Sequence, residues 1–202
     1  MTAMGKATQA IMTESDLGRT LLTIARSAIG AELGLRLSAD ASHAALAQPA
    51  ATFVTLKLDD ELRGCIGSLK PMRPLAVDVR ENAIAAAFRD PRFPPLAVVE
   101  FEATSVEVSL LSADERVEVR DEEDLLAQLR PGVDGLVIEY GHHRATFLPQ
   151  VWESLPAARD FLAALKRKAG LPADFWNPRV NVSRYGVTKW TEGEFISGEH
   201  AR

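Results

Sequence analysis

Cysteine is almost missing from this chain: Cys65 stands alone, so no intramolecular disulfide can staple the fold. No C-x-x-C pair or His/Cys cluster supplies a structural zinc site either. At 202 residues the chain needs neither, because a domain of this size buries about 70% of its unfolded surface. One unpaired thiol fits a reducing cytoplasm. Long apolar runs are absent too. Nothing approaches the roughly 20 residues of a membrane span, and Met1 to Thr13 lack the apolar core of a signal peptide. The expectation is a soluble, cytoplasmic protein with no membrane contact. Basic charge is in deficit, with a net −5. That argues against a duplex DNA binder, whose affinity comes from many Lys and Arg contacts to phosphate, and leaves room for a local RNA contact. The phosphate loop G-x-x-x-x-G-K-[ST], the G-x-S-x-G elbow and the H-E-x-x-H helix are all lacking. No metal or cofactor is called for.

What stands out is Leu62-Arg63-Gly64-Cys65-Ile66-Gly67, which places the one thiol between two glycines and two residues from an arginine. At strand period two, Arg63, Cys65 and Gly67 share one face and Leu62, Gly64 and Ile66 the other, which can bury. Arg63 and Cys65 then lie about 6 to 7 Å apart, close enough for a bent guanidinium to hold a thiolate. The glycines leave the backbone bare for a ligand. A plainer account competes: a lone cysteine is often a small buried hydrophobe, and a strand glycine often marks a bulge.

Along the chain, residues 1–14 read as a tail, and Ser15 caps a helix with Leu17, Leu21, Ile24, Ala28 and Ile29 on one face. The Ala-rich stretch from Leu37 to Ala47 allows a short helix. Thr52 to Leu58, the acidic turn Asp59-Asp60-Glu61 and Leu62 to Ile66 form a hairpin that carries the hexapeptide. Pro74 opens a helix through Leu75, Val79, Asn82, Ala83, Ala86 and Ala87. Asp90-Pro91-Arg92-Phe93-Pro94-Pro95 is a stiff connector, predicted to bury Phe93 in the core. Val99 to Leu111 reads as a long strand with a bulge near Thr104-Ser105. Arg116 to Val119 is a short strand, Asp121 to Leu129 an acid-capped helix. Gly135 to Tyr140 and Arg144 to Leu148 make a second hairpin around Gly141-His142-His143. Helical pieces start at Pro149 and Pro156, the second running to Lys168, and a strand near Val180 to Trp190 precedes a tail at 193–202. Helices and single strands do not alternate, so the fold class is α+β with mostly antiparallel strands and flanking helices. His142 and His143 point to different sides and read as exposed turn residues.

Five blocks in order carry a resemblance: Phe53-Val54-Thr55-Leu56, the hexapeptide, Asp90-Pro91-Arg92-Phe93, Glu107-Val108-Ser109, and Thr146-Phe147-Leu148-Pro149-Gln150-Val151-Trp152. Together they closely resemble the AMMECR-type domain family, from about the first helix to Trp190. In prokaryotes this family is also called AmmeMemoRadiSam system protein A, after a Memo-type and a radical-SAM protein. The resemblance implies one domain over residues 15–192, made of two lobes with the hexapeptide facing a cleft between them. It also implies Memo-type and radical-SAM partners in a shared modification pathway, acting on a nucleobase or small aromatic group in a small molecule or RNA.

Two functional classes follow. In an enzyme, Cys65 is the nucleophile or covalent carrier, Arg63 holds it as thiolate, and backbone N–H groups near Gly64 and Gly67 stabilise developing charge. Gly64, Ile66, Gly67, Asp90, Arg92 and Thr146 would bind substrate. In a binding module, the same residues hold a substrate or partner, Arg63 and Arg92 supplying forked donors. The enzyme class lacks an identified base, because no histidine can be placed beside Cys65.

Overall fold

The computed structural model describes residues 3–39 and 42–193. Helix α1 (Ala3–Glu32) starts well before Ser15, so the helix start and the boundary of the tail expected there are corrected. Met1, Thr2 and positions 194–202, where the rest of the expected tails fall, lie outside the described residues. The chain forms two compact units: residues up to Leu110 together with those from Thr188 onward, and Leu111–Val187. The fold is α+β, as the pattern of strands and helices predicts.

The first unit is a sheet ordered β2-β1-β4-β9, with β3 also on β1. Its strands are β1 (Pro49–Leu58), β2 (Glu61–Gly67), β3 (Arg73–Pro74), β4 (Thr104–Leu111) and β9 (Val187–Thr191). Period two sorts their side chains. Val54, Leu56, Val106, Val108 and Trp190 join one core with Leu21, Ala25 and Ile29 of α1 and Val79, Ala83 and Ala86 of α2 (Leu75–Phe88). The helices therefore cover one face of this sheet. Gly18 makes the α1 contact possible, since a Cβ there would stand 2.3 Å from the Trp190 ring. Arg26 ties the same helix down by donating to the carbonyl oxygens of Phe101 and Thr104 and to the Glu192 carboxylate.

The second unit is a sheet ordered β5-β8-β6-β7, made of β5 (Glu115–Arg116), β6 (Gly135–Tyr140), β7 (His143–Phe147) and β8 (Asn181–Tyr185). Helices α3 (Glu122–Gln128) and α4 (Ala158–Lys168) contribute Leu125, Phe161, Leu162 and Leu165 to its core. Trp152 stacks on Phe161 at 3.8 Å and 4° between planes, and its indole N–H donates to the Asp134 carbonyl.

Both hairpins form where turn chemistry puts them. Three other expectations fail for identifiable reasons. The long strand from Val99 breaks into a 3-10 turn at Val98–Glu100 before β4, because Thr104 Oγ1 donates back to the Glu100 carbonyl and Val99 is left 89% exposed. Instead of one strand from Val180 to Trp190 there are two, β8 and β9, parted at Gly186 and placed in different sheets. And Phe93 is only half-buried, outside the core.

Candidate functional site around Cys65

β1 and β2 pair antiparallel, with Thr55 opposite Cys65 and Leu56 opposite Gly64. The turn between them holds Asp59 and Asp60 at φ 52° and 64°, the left-handed geometry of a two-residue hairpin loop, which Asp tolerates better than most side chains. Nearer the turn the register shifts: Lys57 pairs with Leu62, and Arg63 is left over as the extra residue of a bulge. That single residue breaks the alternation expected for the hexapeptide. Leu62 follows Lys57 onto the face away from the helices and is 42% exposed, where strict period two would have buried it.

The bulge also decides where Arg63 goes. Its side chain is only 9% exposed, and its Nε and Nη2 donate to the two oxygens of Glu100 at 2.9 and 3.0 Å. Its Nη1 is buried with no hydrogen-bond partner. The Arg63 fork thus belongs to Glu100. The Glu100 carboxyl is held down at about 2, first by the Arg63 hydrogen bonds and then by the Ala97 backbone N–H, against the opposing effect of burial. Sequence reasoning missed Glu100. No local signal marks it, since its partner lies 37 positions away.

Arg92 comes to Cys65 instead. The Cys65 N–H donates to Asp90 Oδ2 at 2.9 Å, and Arg92 Nη2 donates to the Cys65 carbonyl at 3.1 Å. Asp90 and Arg92 close on each other through Arg92 Nε and Nη2 at 2.9 and 2.6 Å. Together they occupy the outward peptide groups of an edge strand, where an unpaired N–H and C=O otherwise stand open. The Arg92 guanidinium, helped by the Cys65 N–H, keeps the Asp90 carboxyl well below the usual carboxylate range although burial opposes it. Phe93 lies between the two ion pairs, its ring centroid 6.0 Å from the Arg63 guanidinium carbon and 5.5 Å from that of Arg92.

Both glycines have packing reasons. A Cβ on Gly64 would stand 2.2 Å from the Ala86 carbonyl oxygen, so α2 itself makes the close approach expected of a ligand. A Cβ on Gly67 would meet the Phe53 ring at 2.3 Å. Ile66 packs against the core. The Cys65 N–H is taken by Asp90, so it does not serve as a free donor for developing charge. Thr146 belongs to the second unit, where its hydroxyl meets the Tyr185 phenol at 2.9 Å. Burial pushes that phenol up, with the Thr146 hydrogen bond opposing. His142 and His143 lie in the second unit's hairpin, and His143 Nδ1 meets the Ala169 carbonyl at 2.9 Å.

Cys65 itself is half-buried, and Thr55 Oγ1 donates to its sulfur at 3.3 Å. Because Val54, Leu56, Val106, Val108 and Trp190 face the helices, Thr55, Lys57, Glu107, Ser109 and Lys189 face the other way with Cys65. Glu107 is buried there, its two oxygens 3.4 Å from Lys57 Nζ and 3.6 Å from Lys189 Nζ. The signal for Thr55 and Glu107 was present in the sequence. Both lie in the blocks that carry the family resemblance, at alternating positions along their strands.

The chain is similar over most of its length to known proteins. The family model described as AMMECR1 matches residues 22–190. A protein of Methanothermobacter thermautotrophicus is 43% identical over 180 residues, covering 84% of this chain and 91% of its own length. Protein MJ0810 of Methanocaldococcus jannaschii is 45% identical over 142 residues, covering 67% of this chain and 69% of its own. Among solved structures, the uncharacterized protein PH0010 from Pyrococcus horikoshii superposes with a TM-score of 0.73 at 34% identity, covering 88% of this chain and 92% of that one. The α+β fold is that of the solved structure, and the chain belongs to the AMMECR1 family. No described helix is long and apolar enough to cross a membrane.

Proposed function

We propose that the chain is an enzyme, or the component of one, that works through Cys65 as nucleophile or covalent carrier. It acts in a modification pathway with Memo-type and radical-SAM partners, on a nucleobase or other small aromatic group carried by a small molecule or RNA. One observation carries this reading. The thiol takes a hydrogen bond from Thr55 while Asp90 and Arg92 hold its peptide N–H and carbonyl, so one side chain touches the sulfur and two more fix the backbone that carries it. Positioning of this kind lowers the cost of bringing a reacting atom to a nucleophile.

A binding module is the second reading, favoured by the lack of a base. Among the described residues, the only histidine of the first unit is His43, and its Nδ1 accepts the Ala45 N–H. In that case the chemistry belongs to the partners. The test is to incubate the purified protein with cell extract and with candidate Memo-type and radical-SAM proteins, then search Cys65 by mass spectrometry. A substrate-derived mass on Cys65, absent from Cys65→Ser, supports the enzyme. Partner binding that survives Cys65→Ser, with Cys65 unmodified throughout, replaces it with the binding module.

A further inference from the structure

We propose that Lys57, Glu107 and Lys189, on the sheet face that carries Cys65, form an anion-recognition site, which takes the phosphate or carboxylate group of the substrate. The inference rests on the reading of Cys65 as the reacting group and adds a substrate class to it. It follows from a balance of charge. Arg63 is neutralised by Glu100, and Arg92 by Asp90. On the face that carries Cys65, one buried carboxylate, Glu107, stands between two ammonium groups contributed by the strands on either side. The row keeps one positive charge in excess, on a chain whose net charge is −5.

The lysines are placed to receive a ligand. Their side chains are 39% and 49% exposed, whereas that of Glu107 is 8% exposed. Glu107 therefore anchors the two ammonium groups from below, and both lysine side chains stay partly open to solvent. An ammonium is a compact charge with three rotatable donors, suited to a phosphate or carboxylate oxygen approached from several directions. Lys57 lies two residues from Thr55 on the same strand face, about 7 Å along the chain, and Thr55 touches the sulfur. An anionic group on Lys57 thus leaves the rest of a small molecule toward Cys65, with Lys189 on the far side of Glu107. Leu62, turned to the same face by the bulge, supplies an apolar wall. The carboxylates of Asp59, Asp60 and Glu61 follow Lys57 at the exposed hairpin tip, where solvent and salt screen them.

The experiment compares two alkylating probes that differ only in charge. Iodoacetate and iodoacetamide both lose iodide to the Cys65 thiolate, so the ratio of their rates reports the local field and cancels the reactivity of the sulfur. An excess positive charge predicts that Lys57→Met, on the strand next to Cys65, lowers the iodoacetate/iodoacetamide ratio about threefold, that Lys189→Met, three strands from Cys65, lowers it by a smaller factor, and that Glu107→Gln raises it. In the wild-type protein, raising the salt from about 0.01 to 1 M should shrink the ratio, a reading that needs no variant to fold. Inorganic phosphate or acetate should slow the reaction of iodoacetamide, and the better protector identifies the headgroup. A ratio unmoved by salt and by both lysine variants overturns the site. Failure of iodoacetamide itself to modify Cys65 is a different outcome and overturns the reading of Cys65 on which the site rests.

Discussion

The two hairpins of this protein are built alike and end differently. In the second unit, β6 and β7 pair from Leu136 opposite Phe147 to Tyr140 opposite His143 with no break in register. Gly141 takes the turn at φ 59°. Its conspicuous residues, His142 and His143, do not point to different sides as expected: their rings meet at 4.2 Å between centroids, tilted by 33°. In the first unit, β1 and β2 slip by one residue at Arg63. That slip sends Leu62 to the open face and leaves the guanidinium to Glu100, while Arg92 reaches Cys65 from a separate loop. Regular alternation builds a sheet, and a bulge re-aims side chains. The irregular hairpin carries the thiol and its charged neighbours, although the regular one carries the two histidines.

The comparison breaks most sharply at its glycines. Gly64→Ala drives a methyl into the Ala86 carbonyl, a backbone atom that cannot swing aside. The expected loss is about 3 kcal/mol or more, at the upper end for overpacking. Gly141→Ala meets nothing within 4 Å and costs only the left-handed conformation, about 1 to 2 kcal/mol. Chemical denaturation of the two variants measures the gap, and equal losses would refute the packing role assigned to Gly64.

The ion pairs sharpen it next. Glu100→Gln leaves the Arg63 charge buried without a counter-charge and should cost about 3 kcal/mol, the low end for breaking a buried pair because Glu100 is partly exposed. Glu139→Gln removes the partner of Arg144 in the second hairpin, where both groups are well exposed, and should cost less than about 0.5 kcal/mol.

Acid separates the hairpins in the same sense. The Glu100 carboxyl is lowered to about 2, and the Asp90 carboxyl lies well below the usual range. A lowered carboxyl stabilises the fold fully above its unfolded value of about 4, and the stabilisation is lost as the pH falls through the folded value. Melting temperature should therefore fall between about pH 4 and pH 2, and Glu100→Gln should flatten that fall. An unchanged acid slope in this variant would show that the Arg63–Glu100 pair carries no pH-linked stability. The smallest effects concern the half-buried Phe93. Phe93→Ala should cost about 1 kcal/mol, well short of the 3 to 5 of a fully buried ring. A loss in that higher range would return the ring to the core.

Much of the fold was legible because its signals are local. The first hairpin follows from two runs of alternating residues around Asp59-Asp60, the second from the turn at Gly141, and α2 from Pro74 followed by small apolar residues at helical spacing. The missed boundaries have local causes that composition does not show. A hydroxyl returning to a carbonyl four residues back ended the run before β4. A glycine at 186 let one apolar stretch serve two sheets.

By itself, the sequence determined the class of the fold, the family and the strand that carries Cys65, since periodicity and turn residues act over a few positions and motif order survives without coordinates. Only the tertiary structure decided which arginine meets the cysteine. Arg63 is two residues away in the chain yet belongs to Glu100, 37 positions on, and Arg92, 27 positions on, holds the Cys65 peptide. The physical reason is the bulge. One extra residue in a strand rotates the side chains on its two sides out of step, and whether a strand carries that residue depends on its partner's register, which neighbouring positions in the chain do not encode. The row of Lys57, Glu107 and Lys189 has the same origin: three strands distant in sequence lie side by side in the sheet, and their common face exists only once they pair.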